Sequence, residues 1–325
     1  MNPKIVVIGG GTGTFEMLSG LKNHTRRLTA LVGMADDGGS TGILRDEYGV
    51  LPPGDVRKAL VALARAPEMR ELFNFRYKEG SLAGHSFGNI FLSTVEQISS
   101  NFTDAVDLAG SLLNIAGRVI PATLENVTLV LDDGSQVIRG ESQLDKGIQF
   151  AAPRPKVWLE PDAKLTPQGR QAILEANLVV IAPGSLYGSL AAALVVDGMA
   201  EALAATKAPK VFICNLVNEH GQTDGFMVHD LAAEIERFLD GKAKLDYVLY
   251  NTLKPREDLL KKYFTAEHRT WVEYDEKILA KQTYKAIGGP FVHDDPDQPI
   301  TFIRHDAGQV SRTLLEIYAR QRATM

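Results

Sequence analysis

The chain has 325 residues, enough for one large α/β domain or two smaller ones with an ample core. Its composition, 45% hydrophobic and 23% charged, is that of an ordinary globular protein, and a formal net charge of −5 excludes a general affinity for nucleic acid or anionic membranes. The single cysteine, Cys214, excludes disulfide stapling within the chain and cysteine-based zinc sites, and agrees with a reducing, cytoplasmic setting.

The first element is the run Ile5-Val6-Val7-Ile8, which reads as a strand buried on both faces, the habit of parallel sheets covered by helices. No secretory leader is expected, and the longest apolar helical run, 190–196, is far too short to cross a bilayer, so membrane insertion is not expected. Four glycines follow the strand (Gly9, Gly10, Gly11 and Gly13), and then Phe15, Leu18 and Leu21 recur at helical spacing, which predicts a helix over 13–22. So much glycine points to close approach of a ligand to the backbone. An anion held by free N–H groups at the positive end of the helix is the obvious candidate. The hydroxyls of Thr12 and Thr14 are expected to add donors to phosphate oxygens. The turn is not a P-loop, and it lacks the third glycine of a dinucleotide fingerprint, since Thr14 stands there.

The second strand, "LTALVGM", delivers Asp36 and Asp37, followed by Gly38, Gly39 and Ser40. A carboxylate at this distance takes ribose hydroxyls in doubly wound folds, and paired carboxylates before glycines also suit a divalent cation bridging to phosphate. The stretch after Asp36 reads as a long loop ending at Asp55, the expected N-cap of "VRKALVALARA". Apolar helical patterns cover 68–77, 86–99 and 103–115, and His85 precedes the second of them with Gly88 and Asn89 close by. A histidine at a helix start can donate to phosphate or transfer a proton. Alternating residues around Asp133-Gly134 mark a β-hairpin, and the neighbouring "APRPKVWLEP" is another extended piece.

Parallel texture then resumes. "VVIAPGS" drops into Gly184-Ser185 at the head of a helix over 186–196, and "VFICNLVNEHGQTDG" places Asn215 at a strand end. "DYVLYNT" is a further strand, and Arg304, with a planar fork matched to phosphate, precedes the closing amphipathic helix. The expected architecture is a single α/β domain over 1–325, with a doubly wound, mostly parallel Rossmann-like sheet and an inserted helical and hairpin subdomain over about 68–160. Its ligand crevice is expected outside the carboxyl ends of the strands.

Taken in order, "GGGTGTFEMLSGLK", "ADDGGSTGILR", "PPGDVRKALVALA", "AGHSFGN", "GRVIPAT", "APGSLYGS", "VFICNLVNEHGQTDG" and "IRHDAG" resemble the blocks of the YvcK-type (GlmR) gluconeogenesis-factor family, a branch of the CofD-like superfamily. The resemblance implies a crevice for UDP-N-acetylglucosamine or an NAD-like dinucleotide, with Mg2+ as a companion ion. It implies that Thr14 and Arg304 contact the UDP-sugar, and that Asp36, Asp37, His85, Asn89, Gly184, Ser185 and Asn215 line the crevice. Gly10, Gly11, Thr12, Gly13, Gly38, Gly39 and Ser40 complete the candidate ligand set. Asp36 and Asp37 are the candidate metal ligands, and Asp36 and His85 the candidate catalytic groups. The implied function is a cytosolic nucleotide-sugar-binding regulator linking gluconeogenic carbon supply to cell-wall (peptidoglycan) precursor synthesis and cell shape. A homo-oligomer and protein partners in that synthesis are compatible with it. The alternative, after CofD, is a Mg-dependent phospho- or nucleotidyl-transferase resembling 2-phospho-L-lactate transferase. The sequence departs from the family pattern at Gly188, usually threonine, at Gln222, usually glutamate, and at Lys58-Ala59, usually Asn-Cys.

Overall fold

Strand β1 (Ile5–Gly9) is buried along its whole length. Val6 and Ile8 join one hydrophobic core while Ile5 and Val7 join a second on the opposite face, as the alternation of side chains across a strand dictates. The computed structural model describes residues 2–144, 146–152, 154–293 and 302–323. After β1 come α1 (Gly11–Leu21), β2 (Leu28–Val32), α2 (Gly39–Tyr48), α3 (Pro53–Leu63), α4 (Pro67–Asn74), α5 (Phe87–Ile98), α6 (Phe102–Leu112) and β3 (Arg118–Pro121). A small antiparallel unit follows, formed by β4 (Thr128–Asp132), β5 (Val137–Arg139), α7 (Glu141–Leu144) and β6 (Lys156–Glu160). Next are α8 (Pro167–Leu174), β7 (Leu178–Ile181), a π-helical turn (Leu186–Leu190), α9 (Ala191–Leu194) and α10 (Met199–Ala205). The chain continues through β8 (Lys210–Ile213), α11 (Val228–Phe238), β9 (Tyr247–Asn251), α12 (Glu257–Glu267), α13 (Glu276–Leu279), β10 (Lys285–Gly289) and α14 (Ala307–Ala323).

Seven strands form one sheet in the order β10-β9-β8-β7-β1-β2-β3, with every neighbouring pair parallel. The chain runs outward from β1 to β3, returns to place β7 beside β1, and runs outward again to β10. The doubly wound α/β sheet expected from the sequence is therefore the observed fold. Its switch in strand order lies between β1 and β7, and outside the carboxyl ends of those two strands a crevice is left uncovered by either set of crossovers.

Several expectations change. The long loop after Asp36 contains α2, which Gly39 and Gly42 conceal in the sequence and which Gly49 closes in a left-handed cap at φ 66°. Helix α3 starts with Pro53, whose ring presets the first helical position, so Asp55 lies inside the first turn rather than at the N-cap. The segment 68–160 is not a separate insert, because β3 within it is the edge strand of the main sheet. Phe73, Leu92, Phe102 and Val106 share a core with β1, and Leu129, Leu131 and Leu159 of the antiparallel unit join the core on the other face. The helix over 186–196 is split, opening as a π-helical turn in which Gly188 has non-helical angles, φ −97° and ψ −108°. Among the described residues no helix is long and apolar enough to cross a membrane.

Candidate functional site: a phosphate-type cleft at the strand-order switch

The glycine turn after β1 is dense because the loop after β7 and the first turn of α3 close on it. A β-carbon on Gly13 would lie 2.0 Å from the Pro183 carbonyl oxygen, and one on Gly10 would lie 2.1 Å from Asp55 Oδ2. Gly11 adopts φ 69°, a left-handed conformation that favours glycine. Helix α1 begins here with no side chain capping its first turn, so its leading N–H groups present partial positive charge to whatever lies ahead. Thr14 faces the other way. Its hydroxyl donates to the Gly10 carbonyl at 2.9 Å and its side chain is buried, so it pins the turn from behind.

A cleft of about 360 Å³ opens in front of the turn. Gly10, Gly11, Thr12 and Gly13 form one wall, joined by Gly184 and Ser185 after β7, Asn215 after β8, and Arg304 and His305 before α14. Asp36 and Gly38 after β2, Asp55 and Lys58 of α3, and Glu141 and Ser142 of α7 close the other side. Ten of the expected residues thus converge: Gly10, Gly11, Thr12, Gly13, Asp36, Gly38, Gly184, Ser185, Asn215 and Arg304. Asn215 Nδ2 donates to the Gly184 carbonyl at 2.7 Å, while its Oδ1 is buried at the cleft with no hydrogen-bond donor among the described residues. Ser185 Oγ donates to Glu219 at 3.0 Å, and Arg304 pairs with Glu16 at 2.9 Å.

The remaining expected residues stand elsewhere. Asp37 turns away from Asp36 and accepts the Ser142 N–H at 2.7 Å, tying the α2 entry to the antiparallel unit. Ser40, His85 and Asn89 sit outside the cleft lining in a polar network of their own. In it Ser40 Oγ and His85 Nδ1 are 3.0 Å apart, Asn89 Nδ2 donates to Ser40 Oγ at 3.2 Å, and Arg57 Nε donates to Asn89 at 2.9 Å. These contacts fasten α2, α3 and α5 together, with Gly39 at the head of α2. They place His85 as a brace for the α2 entry and away from the cleft floor.

The neighbour that Asp36 acquires is Asp55. Burial, and after it the Asp55 charge, raise the Asp36 carboxyl above its ordinary value. Lys58 Nζ reaches Asp55 Oδ1 at 2.9 Å, and although burial works against its ammonium, the two aspartates prevail and raise its pKa. Five acids line the cleft (Glu16, Asp36, Asp55, Glu141, Glu219) against three permanent cations (Lys58, Arg269, Arg304). A phosphate group is attracted here by the α1 terminus and these cations but repelled by the acids, so a bridging cation would strengthen binding. Among the described residues no three His, Cys, Asp or Glu side chains gather into a metal site. The Asp36–Asp55 pair does fit Mg2+, which is commonly held by one or two carboxylates and takes its other ligands from phosphate oxygens and water.

Comparison with known proteins decides the family. Residues 5–292 match the family model "2-phospho-L-lactate transferase CofD". A Clostridium acetobutylicum relative is 40% identical over 319 residues, covering 97% of this chain and 69% of its own length. The gluconeogenesis factor of Listeria monocytogenes is 37% identical over 324 residues, covering 98% of this chain and 97% of its own. The chain belongs to the gluconeogenesis-factor branch of the CofD-like family. A crystal structure of a UPF0052-family protein from Bacillus halodurans superposes with a TM-score of 0.88 at 36% identity, covering 97% of this chain and 99% of that one.

Within this gluconeogenesis-factor framework, sequence reasoning missed Asp55, Glu141 and Glu219 as cleft residues, while Lys58 was legible only as a charge near the loop after Asp36. Only the Asp55–Lys58 spacing, one helical turn, carried a local signal. Gly188 and Glu141 go together: a β-carbon at position 188 would lie 2.9 Å from Glu141 Oε1, so the threonine usual in the family would push that carboxylate aside. Ser189 Oγ holds the same oxygen at 2.7 Å.

The raised Asp36 predicts a trade between stability and binding. Its favourable contribution to folding is complete below its ordinary value of 3.8 and is lost as pH rises through the higher folded-state value. Asp36→Asn is therefore expected to stabilise the protein by about 1 kcal/mol at pH 7, with the gain vanishing in acid. Urea midpoints at both pH values check this.

Proposed function

We propose that the cleft binds a nucleotide sugar of the UDP-N-acetylglucosamine type through its diphosphate, and that the protein is a cytoplasmic regulator linking gluconeogenic carbon supply to cell-wall precursor synthesis. The observation that carries the binding is the uncapped start of α1 at the strand-order switch, which shares one cleft with Gly184, Ser185 and Arg304. Asn215 Oδ1 supports it as a buried acceptor that a sugar hydroxyl or amide N–H of the ligand would satisfy. The α1 N–H groups take phosphate oxygens and Arg304 adds a charged fork, while Asp36 and Asp55 would hold Mg2+, whose charge would offset the acidic wall. The regulatory part rests on family membership and on the name borne by the Listeria relative.

Calorimetric titration with UDP-N-acetylglucosamine, UDP and NAD, each with and without magnesium, tests the reading. Binding of the UDP-sugar is expected, and Arg304→Ala should weaken it about tenfold, or roughly 1.4 kcal/mol. Silence toward every nucleotide overturns it.

A second reading is favoured by the Asp36–Asp55–Lys58 cluster together with the name of the matching family model. In a Mg-dependent phospho- or nucleotidyl-transferase, bound Mg2+ would neutralise charge on the transferred group, Asp36 and Asp55 would hold it, and Lys58 would steady Asp55. Asp36→Asn would then abolish transfer of a labelled phosphoryl or nucleotidyl group. A protein with no transfer activity to lose is a binder.

A further inference from the structure

A larger concavity, about 720 Å³, lies at the opposite end of the sheet. It is built from Asn2 ahead of β1, the turn between α1 and β2, the start of α4, and Ala116 ahead of β3. Lys22, Arg26, Arg65 and Arg70 line it together with His24, and no aspartate or glutamate does. In a chain of net charge −5, this is a local concentration of positive charge.

The cations are held near one another rather than dispersed. Lys22 Nζ donates to the Ala62 and Ala64 carbonyls at 2.7 and 2.9 Å, capping the end of α3. Burial, then the charges of Arg70 and Arg65, lower its pKa, so the three groups share a field. The Arg70 guanidinium is stationed 5.9 Å from the Phe15 ring centre. Arg26 and Arg65 are exposed, and their side chains make no hydrogen bond or ion pair among the described residues. Like charges gathered in a concavity without a counter-charge focus the potential and favour an anion.

We propose that this concavity is a second ligand site, for a small, multiply phosphorylated molecule. Size and charge argue for a small ligand, because an extended polyanion would also meet the net negative charge of the rest of the molecule. No phenylalanine, tyrosine or tryptophan lines the site to stack a base, so phosphate groups rather than a nucleobase are what it recognises. Helix α1 joins the two sites. Its first turn lies in the nucleotide cleft and its C-cap, Lys22, lies in this one, about 16 Å away along an 11-residue helix.

Calorimetric titration of the full chain with inorganic tripolyphosphate at low ionic strength tests the assignment. The nucleotide cleft can also accept this probe, so Arg304→Gln is titrated in parallel. The double variant Arg26→Gln/Arg65→Gln removes two exposed, unpaired groups and is expected to keep the wild-type melting temperature. Its affinity for tripolyphosphate should fall at least tenfold at a site that persists in Arg304→Gln, and Arg70→Gln should weaken that same site. The proposal is overturned if no binding occurs, if binding is indifferent to the double variant, or if these arginines are needed only for duplex DNA or anionic vesicles.

Discussion

Gly13→Ala is expected to destabilise the protein by about 3 kcal/mol, the upper end of what overpacking usually does. The added carbon would meet the Pro183 carbonyl oxygen at 2.0 Å and its carbon at 2.8 Å, and this obstacle is backbone rather than a flexible side chain. Pro183 follows β7 and Gly13 follows β1, so relief requires separating the two loops that form the cleft at the strand-order switch. Gly11→Ala is the control. It is strained by φ 69°, but the nearest atom to its new carbon is Ser189 Oγ at 3.6 Å, so only the backbone penalty of roughly 1 kcal/mol applies. Urea midpoints of the two variants should therefore differ clearly. If Gly13→Ala unfolds with Gly11→Ala or later, the loops do not approach as described, and the proposed diphosphate site loses its geometric basis.

What the sequence revealed and what it hid follow from how local each determinant is. β1, β7, β8 and β9 were legible because central parallel strands bury both faces and must be runs of branched aliphatics. β10 was not, because "KAIGG" lies at the sheet edge, ends in two glycines and is only partly covered. α12 presents a single buried residue, Leu259, so its apolar stripe is too faint to read. The glycine turn was readable because close backbone approach demands glycine locally. The acids that meet in the cleft were not, since Asp55 reaches Asp36 only after α3 folds against the sheet. The adjacency of Asp36 and Asp37 suggested a shared site, yet Asp36 joins Asp55 while Asp37 is claimed by Ser142, 105 positions away. "RHD" divides in the same manner: Arg304 pairs with Glu16, His305 Nε2 lies against the Cys214 carbonyl, and Asp306 accepts the Gln309 N–H at the start of α14.

His305 sets the second large effect, a loss of stability on the order of 2 kcal/mol as pH falls from 6.5 toward 4. Burial pushes its pKa down to about 4 from an ordinary 6.5, and the 3.0 Å hydrogen bond to the Cys214 carbonyl opposes this only in part. Over that interval the unfolded chain takes up a proton on this residue and the folded chain does not, so unfolding gains. Above 6.5 both forms are neutral and the contribution is complete. The full shift corresponds to about 3 kcal/mol, and the partial exposure of the residue at the cleft reduces it. Glutamine at this position keeps an N–H donor for Cys214 but cannot titrate. His305→Gln should match the wild type at pH 8 and lose the acid limb between 6.5 and 4 in a series of urea midpoints. Asp36 titrates in the opposite sense and is common to both proteins, so subtracting the two curves removes it. Parallel curves down to pH 4 would mean that the imidazole is hydrated and charged in the folded state. It would then stand as a second cation beside Arg304 at the cleft, and the phosphate contacts would have to be reassigned between the two.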